Sequence, residues 1–329
     1  PRYLSAITPK SSRKRFENRL FVCDSNISCA GKVSFYNCTF NCDISQNGEC
    51  ITILPRGEAV FKICTFKRLH SNSGLFLSGN KGCLVSFIDC TFVECNDFVQ
   101  LDDCARVAFT RCKFQDCFDA VVKVSVQPEA QFAFHDNIWY VTASPVHQKA
   151  SAFTLLGENR LFIFENCCIQ YAGTDSTYSL ITAPQNSLCF LNCSFDSSIF
   201  PIHAVAVIGC IFRHCRNALV TNSVVSALYP SLVENCRFIQ CSECIQAGAD
   251  TEILHSIFTA CTGTLIRSAS KLGHVHIADC TFFDCSVNVH GSACIELDRD
   301  CSVISGKINK MENCTFENCR AEKGNLISY

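Results

Sequence analysis

The sequence lacks a hydrophobic run long enough to cross a membrane. Its longest apolar stretch, residues 199–212, is interrupted by Pro201 and His203 and falls short of the ~20 apolar residues that a spanning helix needs. A recognisable signal peptide is also lacking. Because the chain begins with Pro1 rather than Met, we expect that an upstream portion has been removed or omitted.

The sequence also has little charge imbalance. Lys and Arg number 28, Asp and Glu number 30, and the net charge is -2, which excludes a bulk electrostatic attraction to nucleic acid or acidic lipid. Residues 1–19 are a local exception, with several basic residues against one acidic residue, Glu17. This segment is either an arm for membrane or nucleic acid or, as we favour, a solvated flank before the first coil. Its basic residues are Arg2, Lys10, Arg13, Lys14, Arg15 and Arg19.

Motifs of common catalytic and metal sites are missing as well. There is no Ser-His-Asp constellation, phosphate-binding loop or dinucleotide fingerprint. Asp102-Asp103 and Asp298-Arg299-Asp300 are the dense acidic spots, but neighbouring repeats carry no matching acids, so we expect solvated turns rather than a glycosidase pair. The Cys-x-x-Cys motif at Cys241 and Cys244 has no second pair at zinc-finger spacing. The sequence therefore predicts no catalytic residue, no metal site and no cofactor.

What the sequence does contain is a repeat. In twelve copies a reference residue is followed after three positions by an aromatic or Ile residue, and in ten of them the next residue is Cys, with Asn137 and Ser256 as the exceptions. From Phe40 to Phe316 the chain advances 276 residues over 11 intervals, so the period is about 25 residues. The reference residues are Asn37, Ile63, Asp89, Arg111, Asp136, Asn166, Asn192, Gly209, Asn235, His255, Asp279 and Asn313.

Each copy alternates apolar and other residues with a period of two, as a strand with one buried face requires. The phase slips by one at the reference residue, because Phe35 and Cys38 are three positions apart. We therefore predict a backbone corner there, a position that suits Asn and Asp. The predicted inward ladder is Cys38, Phe40, Cys64, Phe66, Cys90, Phe92, Cys112, Phe114, Cys193, Phe195, Cys210, Phe212, Cys236, Phe238, Cys280, Phe282, Cys314 and Phe316.

A second segment follows the Phe. Cys recurs three residues on in seven copies, and a short apolar run such as Leu219-Val220 comes next. Three short strands per coil predict an all-β, right-handed parallel β-helix, or solenoid, of about 12 coils. A leucine-rich repeat, the main alternative, needs a Leu column that is absent. We expect a single β-helix domain over residues 20–329, preceded by the basic flank 1–19 and forming part of a longer array.

Irregular intervals between copies predict insertions. The interval of 34 residues from Phe282 to Phe316 predicts a protruding loop over residues 298–310, and the interval of 30 from Trp139 to Ile169 predicts another over residues 143–149. Only 17 residues separate Phe195 from Phe212, which is barely enough for three strands. The predicted register is least certain at that coil.

The 28 cysteines invite a disulfide framework. However, stacked strands hold neighbouring side chains ~4.8 Å apart, whereas disulfide Cβ atoms average ~3.8 Å apart. We therefore favour buried free thiols that pack as small apolar groups over systematic disulfides. Better candidates for bridges are the residues off the two columns, such as Cys23, Cys29, Cys50, Cys83, Cys104 and Cys301.

Four positions match the glycosylation acceptor pattern, namely Asn26, Asn37, Asn192 and Asn313. The last three are reference residues that the repeat already explains. Asn26 alone is independent of the repeat, and it is a weak glycosylation candidate.

Asn313-Cys314-Thr315-Phe316 with Cys319, followed by a Gly-containing apolar strand, resembles the polymorphic outer-membrane protein repeats of chlamydiae. It resembles still more the Cys-rich β-helix surface proteins of parasitic protists such as trichomonads. Residues 291–295 and 324–327 stand in for the second element of that repeat, and Phe-x-x-Cys replaces its Phe-x-x-Asn. The resemblance spans residues 20–329 and implies a surface-displayed adhesive protein with no catalytic residues to carry over.

Two functional hypotheses follow. The first is a non-enzymatic β-helix, displayed on the cell surface or secreted, that binds a host glycan or protein through its outer faces. An intracellular protein with free buried thiols is the alternative location. The second is a polysaccharide lyase or glycoside hydrolase on the same scaffold, which acidic residues around a groove on adjacent coils would favour. A degenerate, purely structural array is a third possibility. We expect no nucleic acid partner and further β-helix coils in the parent chain.

Overall fold

The computed structural model describes residues 13–22, 27–41, 51–68, 77–79, 81–95, 99–117, 122–141, 153–156, 161–171, 181–182, 187–197, 202–216, 218–221, 230–248, 250–268, 273–288, 292–297, 309–321 and 325–328. These residues form short strands and turns, with no helix among them. The chain divides into two compact units, Pro1–Phe162 with Tyr178–Asn186, and Ile163–Thr177 with Ser187–Tyr329. The predicted loops at 143–149 and 298–308, together with Asn26, Cys23, Cys50 and Cys301, lie outside the described residues.

The first unit contains three rows of parallel strands. One row consists of β1 Lys14–Glu17, β4 Lys32–Tyr36, β7 Glu58–Lys62, β10 Leu84–Ile88, and the ends of β12 Val99–Thr110 and β14 Val122–His135. The second consists of β2 Leu20–Val22, β5 Thr39–Asn41, β8 Thr65–Lys67, β11 Thr91–Val93, β13 Lys113–Gln115 and β15 Ile138–Val141. The third consists of β3 Ile27–Cys29, β6 Ile51–Ile53, β9 Leu77–Gly79, the starts of β12 and β14, β16 Phe153–Leu156 and β19 Ile181–Thr182.

The second unit repeats this arrangement. Its first row is β17 Leu161–Glu165 (which begins just before the unit boundary), β20 Ser187–Leu191, β23 Ala206–Ile208, β26 Ser231–Glu234, β29 Thr251–Leu254, β32 Val275–Ala278 and β36 Lys310–Glu312. The second row is β18 Cys168–Tyr171, β21 Ser194–Asp196, β24 Ile211–Arg213, β27 Arg237–Ile239, β30 Ile257–Thr259, β33 Thr281–Phe283 and β37 Thr315–Glu317. The third is β22 Ile202–Ala204, β25 Leu219–Thr221, β28 Ile245–Ala247, β31 Ile266–Ser268, β35 Ile295–Glu296 and β39 Ile327–Ser328, and β34 Ser286–Val287 pairs with β38 Arg320–Ala321.

The predicted aromatic column is confirmed in both units. The Phe66, Phe92 and Phe114 rings stack with centroid separations of 4.8 and 4.6 Å, and all three side chains are buried. The rings of Phe212 and Phe238 stack at 4.8 Å in the second unit. These separations equal the strand spacing of a β-sheet, because each strand pairs in register with the equivalent strand of the next coil. The fold is thus a parallel β-helix in each unit, and a leucine-rich repeat is excluded.

A second aromatic column lies beside the first in the first unit. Phe35, Phe61 and Phe87 stack at 4.8 Å, and their rings meet those of the first column edge to face, as Phe35 meets Phe40 at 5.5 Å. Edge-to-face and stacked aromatic pairs each add about 0.5–1.5 kcal/mol beyond the burial of area. The interior of this unit is therefore held by two interlocked columns.

The predicted corners are confirmed at every reference residue. All twelve have left-handed backbone angles, with φ between 49° and 66°. The structure adds a second corner that the sequence analysis missed, two residues after the Phe. Its residues, all with φ between 49° and 57°, are Arg68, Glu94, Asp116, Ser197, His214, Gln240, Ala260, Asp284 and Asn318. Each of the seven recurrent cysteines after the Phe directly follows one of these corners.

The predicted boundary at residue 20 is wrong. Strand β1 pairs in parallel with β4, with Phe16 opposite Phe35, and the Phe21 ring stacks on Phe40 at 4.7 Å. Asn18 has φ 51° and is the corner of this earlier copy. Arg19 stands where the later copies have Cys, so the cysteine signal is absent. The basic segment therefore contributes a coil from Lys14 onward. The rest of the domain assignment over residues 20–329 stays a prediction.

The cysteines after the corners are hydrogen-bonding groups as well as core residues. The Cys90 Sγ donates to the carbonyl oxygens of Ile88 and Phe61, both at 3.4 Å. A cysteine sulfur also accepts hydrogen bonds. In the second unit, the backbone N–H of Cys193 donates to the Cys210 Sγ at 3.3 Å. The Cys210 thiol thus accepts from an N–H of the preceding coil and donates to a carbonyl of that coil, the Phe190 carbonyl, at 3.5 Å. Buried backbone groups need such partners, and a thiol is both a weak donor and a weak acceptor.

All the cysteines that the structure describes are free thiols. This agrees with the prediction for the two columns but contradicts the bridges predicted at Cys29, Cys83 and Cys104, which are all fully buried. Cys29 aligns with Ile53 in the neighbouring strand, so no sulfur faces it there. Burial raises the pKa of Cys29 and of Cys83 to about 11. Both are therefore protonated at neutral pH.

The coil whose register was least certain contains all three strands. β21, β22, β23 and β24 follow one another closely, and Val205 alone separates β22 from β23. Phe195 and Phe212 stack at 4.8 Å, so the predicted register is correct there. The loop predicted over residues 298–310 extends at least one residue too far, because Lys310 lies in strand β36, opposite His276.

Candidate glycan-binding groove

The predicted site residues of the inward ladder are structural. Their side chains are buried apart from the half-buried Cys314 and Phe316 in β37 and its corner, so a ligand can reach only the outer faces. Asp102 and Asp103, the acidic pair of the sequence analysis, are exposed in β12, and Asp102 accepts a 3.2 Å hydrogen bond from Gln100. The expected turn is instead an irregularity within the strand, because the pairing register of β12 shifts between Leu101 and Cys104 and Asp103 has φ 52°.

The basic flank is engaged locally where the structure describes it. Arg15 forms an ion pair with Glu17 and its guanidinium lies 5.5 Å from the centre of the Tyr36 ring. The Arg19 guanidinium lies 5.3 Å from the centre of the Phe16 ring. Cations over aromatic rings are stabilised by the ring electrons. These basic side chains thus contact residues of the coil that begins at Lys14 and of its neighbour, so this part of the segment is not the flank that the sequence predicted.

A groove opens on the third row of the second unit. It has an empty volume of about 310 Å³, which includes open solvent. Strands alternate inward and outward side chains, and the inward Leu219 and Ile245 are almost fully buried, so the accessible surface of the groove comes mainly from outward side chains. It is lined by Leu219, Val220, Glu243, Ile245, Gln246, Thr264 and Arg267. We call this surface the Arg267 groove.

Strand register positions the polar residues of the Arg267 groove. Val220, Gln246, Arg267 and Glu296 are directly opposite one another along β25, β28, β31 and β35. Since neighbouring parallel strands are ~4.8 Å apart, these outward side chains form one continuous row. The third-strand runs of the sequence analysis thus build the groove, but the sequence did not show which side chains would meet.

A carboxylate in this row is held by three donors. Arg267 Nε donates to Glu296 Oε2 at 3.0 Å, while Thr264 Oγ1 and the Ala293 N–H donate to Glu296 Oε1 at 3.3 and 3.0 Å. Arg267 Nη2 is also 3.5 Å from Thr264 Oγ1. The Arg267 side chain remains half exposed. This network fixes the guanidinium at the groove while leaving some of its donors free for a ligand.

Two further polar groups of the groove are available. Glu243 and Gln246 are exposed, and neither side chain has a hydrogen bond or ion pair with another residue that the structure describes. Glu243 is at a corner of the backbone, where φ is 54°. A carboxylate, an amide and a guanidinium together provide the donors and acceptors that bind hydroxyl groups.

Other charged groups pair along the corners. Arg111 bonds both carboxylate oxygens of Asp89, at 2.7 and 3.1 Å. His214 bridges Asp196 Oδ1 at 3.0 Å and Gln240 Oε1 at 2.9 Å. Within the described ranges no cluster of three or more His, Cys, Asp or Glu side chains has the geometry to hold a metal ion. Nor does that part of the chain contain a helix long and apolar enough to cross a membrane.

The sequence matches the family described as a right handed beta helix region over residues 25–199, more than half of the chain. The chain belongs to the right-handed β-helix family. The membership confirms the predicted handedness of this β-helix as well as its fold class.

Tailspike protein 3 of bacteriophage CBA120 is a solved structure similar to this β-helix. The sequence identity is 11% and the TM-score is 0.37, with 92% of this chain and 56% of that chain covered. This β-helix thus spans little more than half of the tailspike. No curated protein matches its sequence.

Proposed function

We propose that this β-helix is a non-enzymatic binding protein that recognises a glycan in the Arg267 groove. The observation that carries the proposal is the fixed Arg267 guanidinium beside the free side chains of Glu243 and Gln246. A sugar presents hydroxyl groups that both donate and accept hydrogen bonds, which matches this set. The half-buried Val220 in the same outward row offers an apolar contact to the face of a sugar ring.

The other properties of the proposal rest on the sequence. The resemblance to chlamydial and trichomonad repeat proteins supports adhesion to a host glycan or host-surface protein, and display on the cell surface or secretion. Free buried thiols support an intracellular location instead. Accessibility of the protein to a membrane-impermeant label on intact cells separates these two locations, because only a surface-displayed chain is labelled.

Binding is tested with a glycan array and the Arg267→Ala variant. Hydrogen bonds to charged groups contribute ~1.5–3 kcal/mol, so we expect the variant to bind the best glycans roughly 10- to 100-fold more weakly. Arg237→Ala is the matched control, because Arg237 is an exposed arginine on the outer face of β27, in a different row. Equal binding by wild-type protein and Arg267→Ala would contradict the proposal, provided both have the same melting temperature.

A glycoside hydrolase or polysaccharide lyase is the second candidate, since Glu243 and Glu296 lie near one groove. A hydrolase needs an acid and a second carboxylate as base or nucleophile. Glu296 is already bonded to three donors, which leaves Glu243 as the available carboxylate of the described lining. Release of new reducing or unsaturated ends from a bound glycan, abolished in Glu243→Gln, would establish the enzyme instead.

A further inference from the structure

A cluster of buried thiols lies behind the corner that leads into the third row of the second unit. One cysteine per coil forms a ladder there, and Cys244 and Cys294 flank it. The Cys241 thiol is in hydrogen-bonding contact with the thiols of Cys215, Cys244 and Cys261. Both Cys241 and Cys244 are at most 1% exposed. The ladder consists of Cys215, Cys241, Cys261, Cys285 and Cys319.

The contacts of Cys241 are of two geometric kinds. Cys215 and Cys261 belong to neighbouring coils, so their distances from Cys241 are set by strand pairing at ~4.8 Å, which exceeds the ~3.8 Å mean Cβ separation of a disulfide. The backbone on this column is also anchored, since Cys241 Sγ bonds the Phe212 carbonyl at 3.4 Å and Cys261 Sγ the Phe238 carbonyl at 3.3 Å. Ladder neighbours therefore resist covalent closure.

Cys244 differs because it belongs to the same coil as Cys241. The two residues are joined by Ser242 and Glu243, and Glu243 has a left-handed backbone with φ 54°. The two residues are not on neighbouring paired strands, so the strand spacing does not keep their sulfurs apart. A disulfide between them requires only that the turn between them change its conformation. That turn is at the surface, because Glu243 is exposed and lines the Arg267 groove.

We propose that Cys241 and Cys244 form a dithiol that hydrogen peroxide oxidises to a disulfide, while the ladder thiols of neighbouring coils stay reduced. Peroxide reaches the pair by local opening of the surface turn, without unwinding a coil. The inference does not depend on what the groove binds.

The reaction balances with peroxide as the only oxidant. The Cys241 sulfur attacks one peroxide oxygen, the O–O bond breaks, and the departing hydroxide takes up the thiol proton as water, which leaves Cys241 as a sulfenic acid. The Cys244 sulfur then attacks the Cys241 sulfur, the S–O bond breaks, and the second hydroxide leaves as water with the Cys244 proton. Two thiols and one peroxide thus become one disulfide and two waters.

The order of attack does not change the product. Whichever of the two sulfurs becomes the sulfenic acid, attack by the other sulfur closes the same disulfide.

The preceding coil provides a matched control. Its ladder cysteine is Cys215, and Ala218 occupies the position of Cys244, since Leu219 pairs with Ile245 in the next strand. Cys215 therefore has no thiol three residues on in its own coil. Ala218→Cys builds a second pair with the same spacing, and Cys244→Ala removes the natural one.

The experiment treats the fully reduced, folded protein with hydrogen peroxide, then denatures and alkylates it with iodoacetamide before tryptic mass spectrometry. One tryptic peptide, residues 238–267, contains Cys241, Cys244 and Cys261. We expect it to carry the alkyl group on Cys261 alone and to be lighter than the dithiol form by two hydrogen atoms. Trypsin cleaves after Arg216, so in Ala218→Cys the peptide 214–216 becomes disulfide-linked to the peptide 217–237. In Cys244→Ala the two-hydrogen loss disappears.

Two results would overturn the proposal. One is alkylation of Cys241 and Cys244 to the same extent as Cys261 and Cys285 after peroxide. The other is a bond from Cys241 to Cys215 or Cys261. If Ala218→Cys does not fold, as judged by its circular dichroism, the comparison of wild-type protein with Cys244→Ala decides the matter.

Discussion

The backbone N–H of Cys112 donates a 2.7 Å hydrogen bond to the side-chain oxygen of Asn137, one coil further along the chain. The Asn137 Nδ2 in turn donates to the Phe109 carbonyl at 2.8 Å. Asn137 thus makes the same two bonds as the cysteines in equivalent positions. Ser256 does so in part, since it accepts from the Cys236 N–H at 3.2 Å. The two exceptions in the cysteine column are therefore chemical equivalents of cysteine.

This equivalence makes a prediction for Asn137, which is buried. In Asn137→Leu the Cys112 N–H and the Phe109 carbonyl both lose their partner, and each unsatisfied group costs ~1–3 kcal/mol, so the variant should lose about 2–5 kcal/mol of stability. Asn137→Cys restores a weaker donor and acceptor and should lose less. Urea unfolding midpoints measure both. Equal losses would show that the volume of the side chain matters rather than its hydrogen bonds.

Gly209 is predicted to be intolerant of a side chain. Its φ is 66°, and a Cβ added there would clash with Asn192 Oδ1. Left-handed backbone alone costs a residue with a Cβ about 1–2 kcal/mol, so Gly209→Ala should lower the free energy of unfolding by at least that amount. Gly31→Ala is the control, because nothing lies within 4 Å of its added Cβ. Chemical denaturation of the two variants should separate them clearly; similar midpoints would refute the role of the corner.

Ile63 is predicted to be a site of stored backbone strain. It is a β-branched residue with φ 57°, a conformation that such residues rarely adopt. Asn tolerates this backbone better, so Ile63→Asn should raise stability by about 1 kcal/mol. Ile138→Asn is a matched control, since both isoleucines are 42% exposed but Ile138 lies in a strand. Thermal melts should show a rise for the first variant only, and a fall in both would rule out strain at Ile63.

The stability of the second unit should depend weakly on pH through His214. Its hydrogen bond to Asp196 raises the pKa of His214 above the usual 6.5. A raised folded-state pKa gives stability that is complete below pH 6.5 and lost as the pH rises through the folded value. Because the pair is exposed, the effect should stay below about 1 kcal/mol. NMR titration of the His214 ring in wild-type protein and in Asp196→Asn tests this: the pKa should fall in the variant, and an unchanged pKa would show that Asp196 does not act on His214.

Much of this fold could be predicted from the sequence because the repeated Cys and Phe pattern marks the backbone corner in each coil. Cys and Phe recur at fixed offsets from the corner, and the corner residues Asn37, Asp89 and Asn313 are of types that accept left-handed angles. The copy at Asn18 escaped notice because Arg19 replaces the cysteine. The second corner escaped because residues such as Glu94 and Ala260 carry no preference for such angles.

The groove could not be predicted, for a different reason. Arg267 and Glu296 are 29 residues apart, and the coil between them is longer than the average repeat. Only the pairing of Ile266 with Ile295 shows that the two side chains are neighbours. A side chain on an outer face leaves no periodic signal, because solvent accepts many residue types there. The periodicity of the sequence therefore predicts which residues fill the interior of a β-helix but not which side chains meet on its surface.

The bonds made by the corner cysteines have a direction. Each sulfur reaches back to the carbonyl of the winding before it, as Cys90 does to Phe61, whereas the amide of Cys193 is satisfied by the sulfur of the winding after it. The sulfur of a coil consequently completes the hydrogen bonds of the preceding coil, while its own backbone N–H is bonded only once the following coil has folded. A chain made from its amino terminus would close these bonds one winding behind the ribosome, in the order of synthesis.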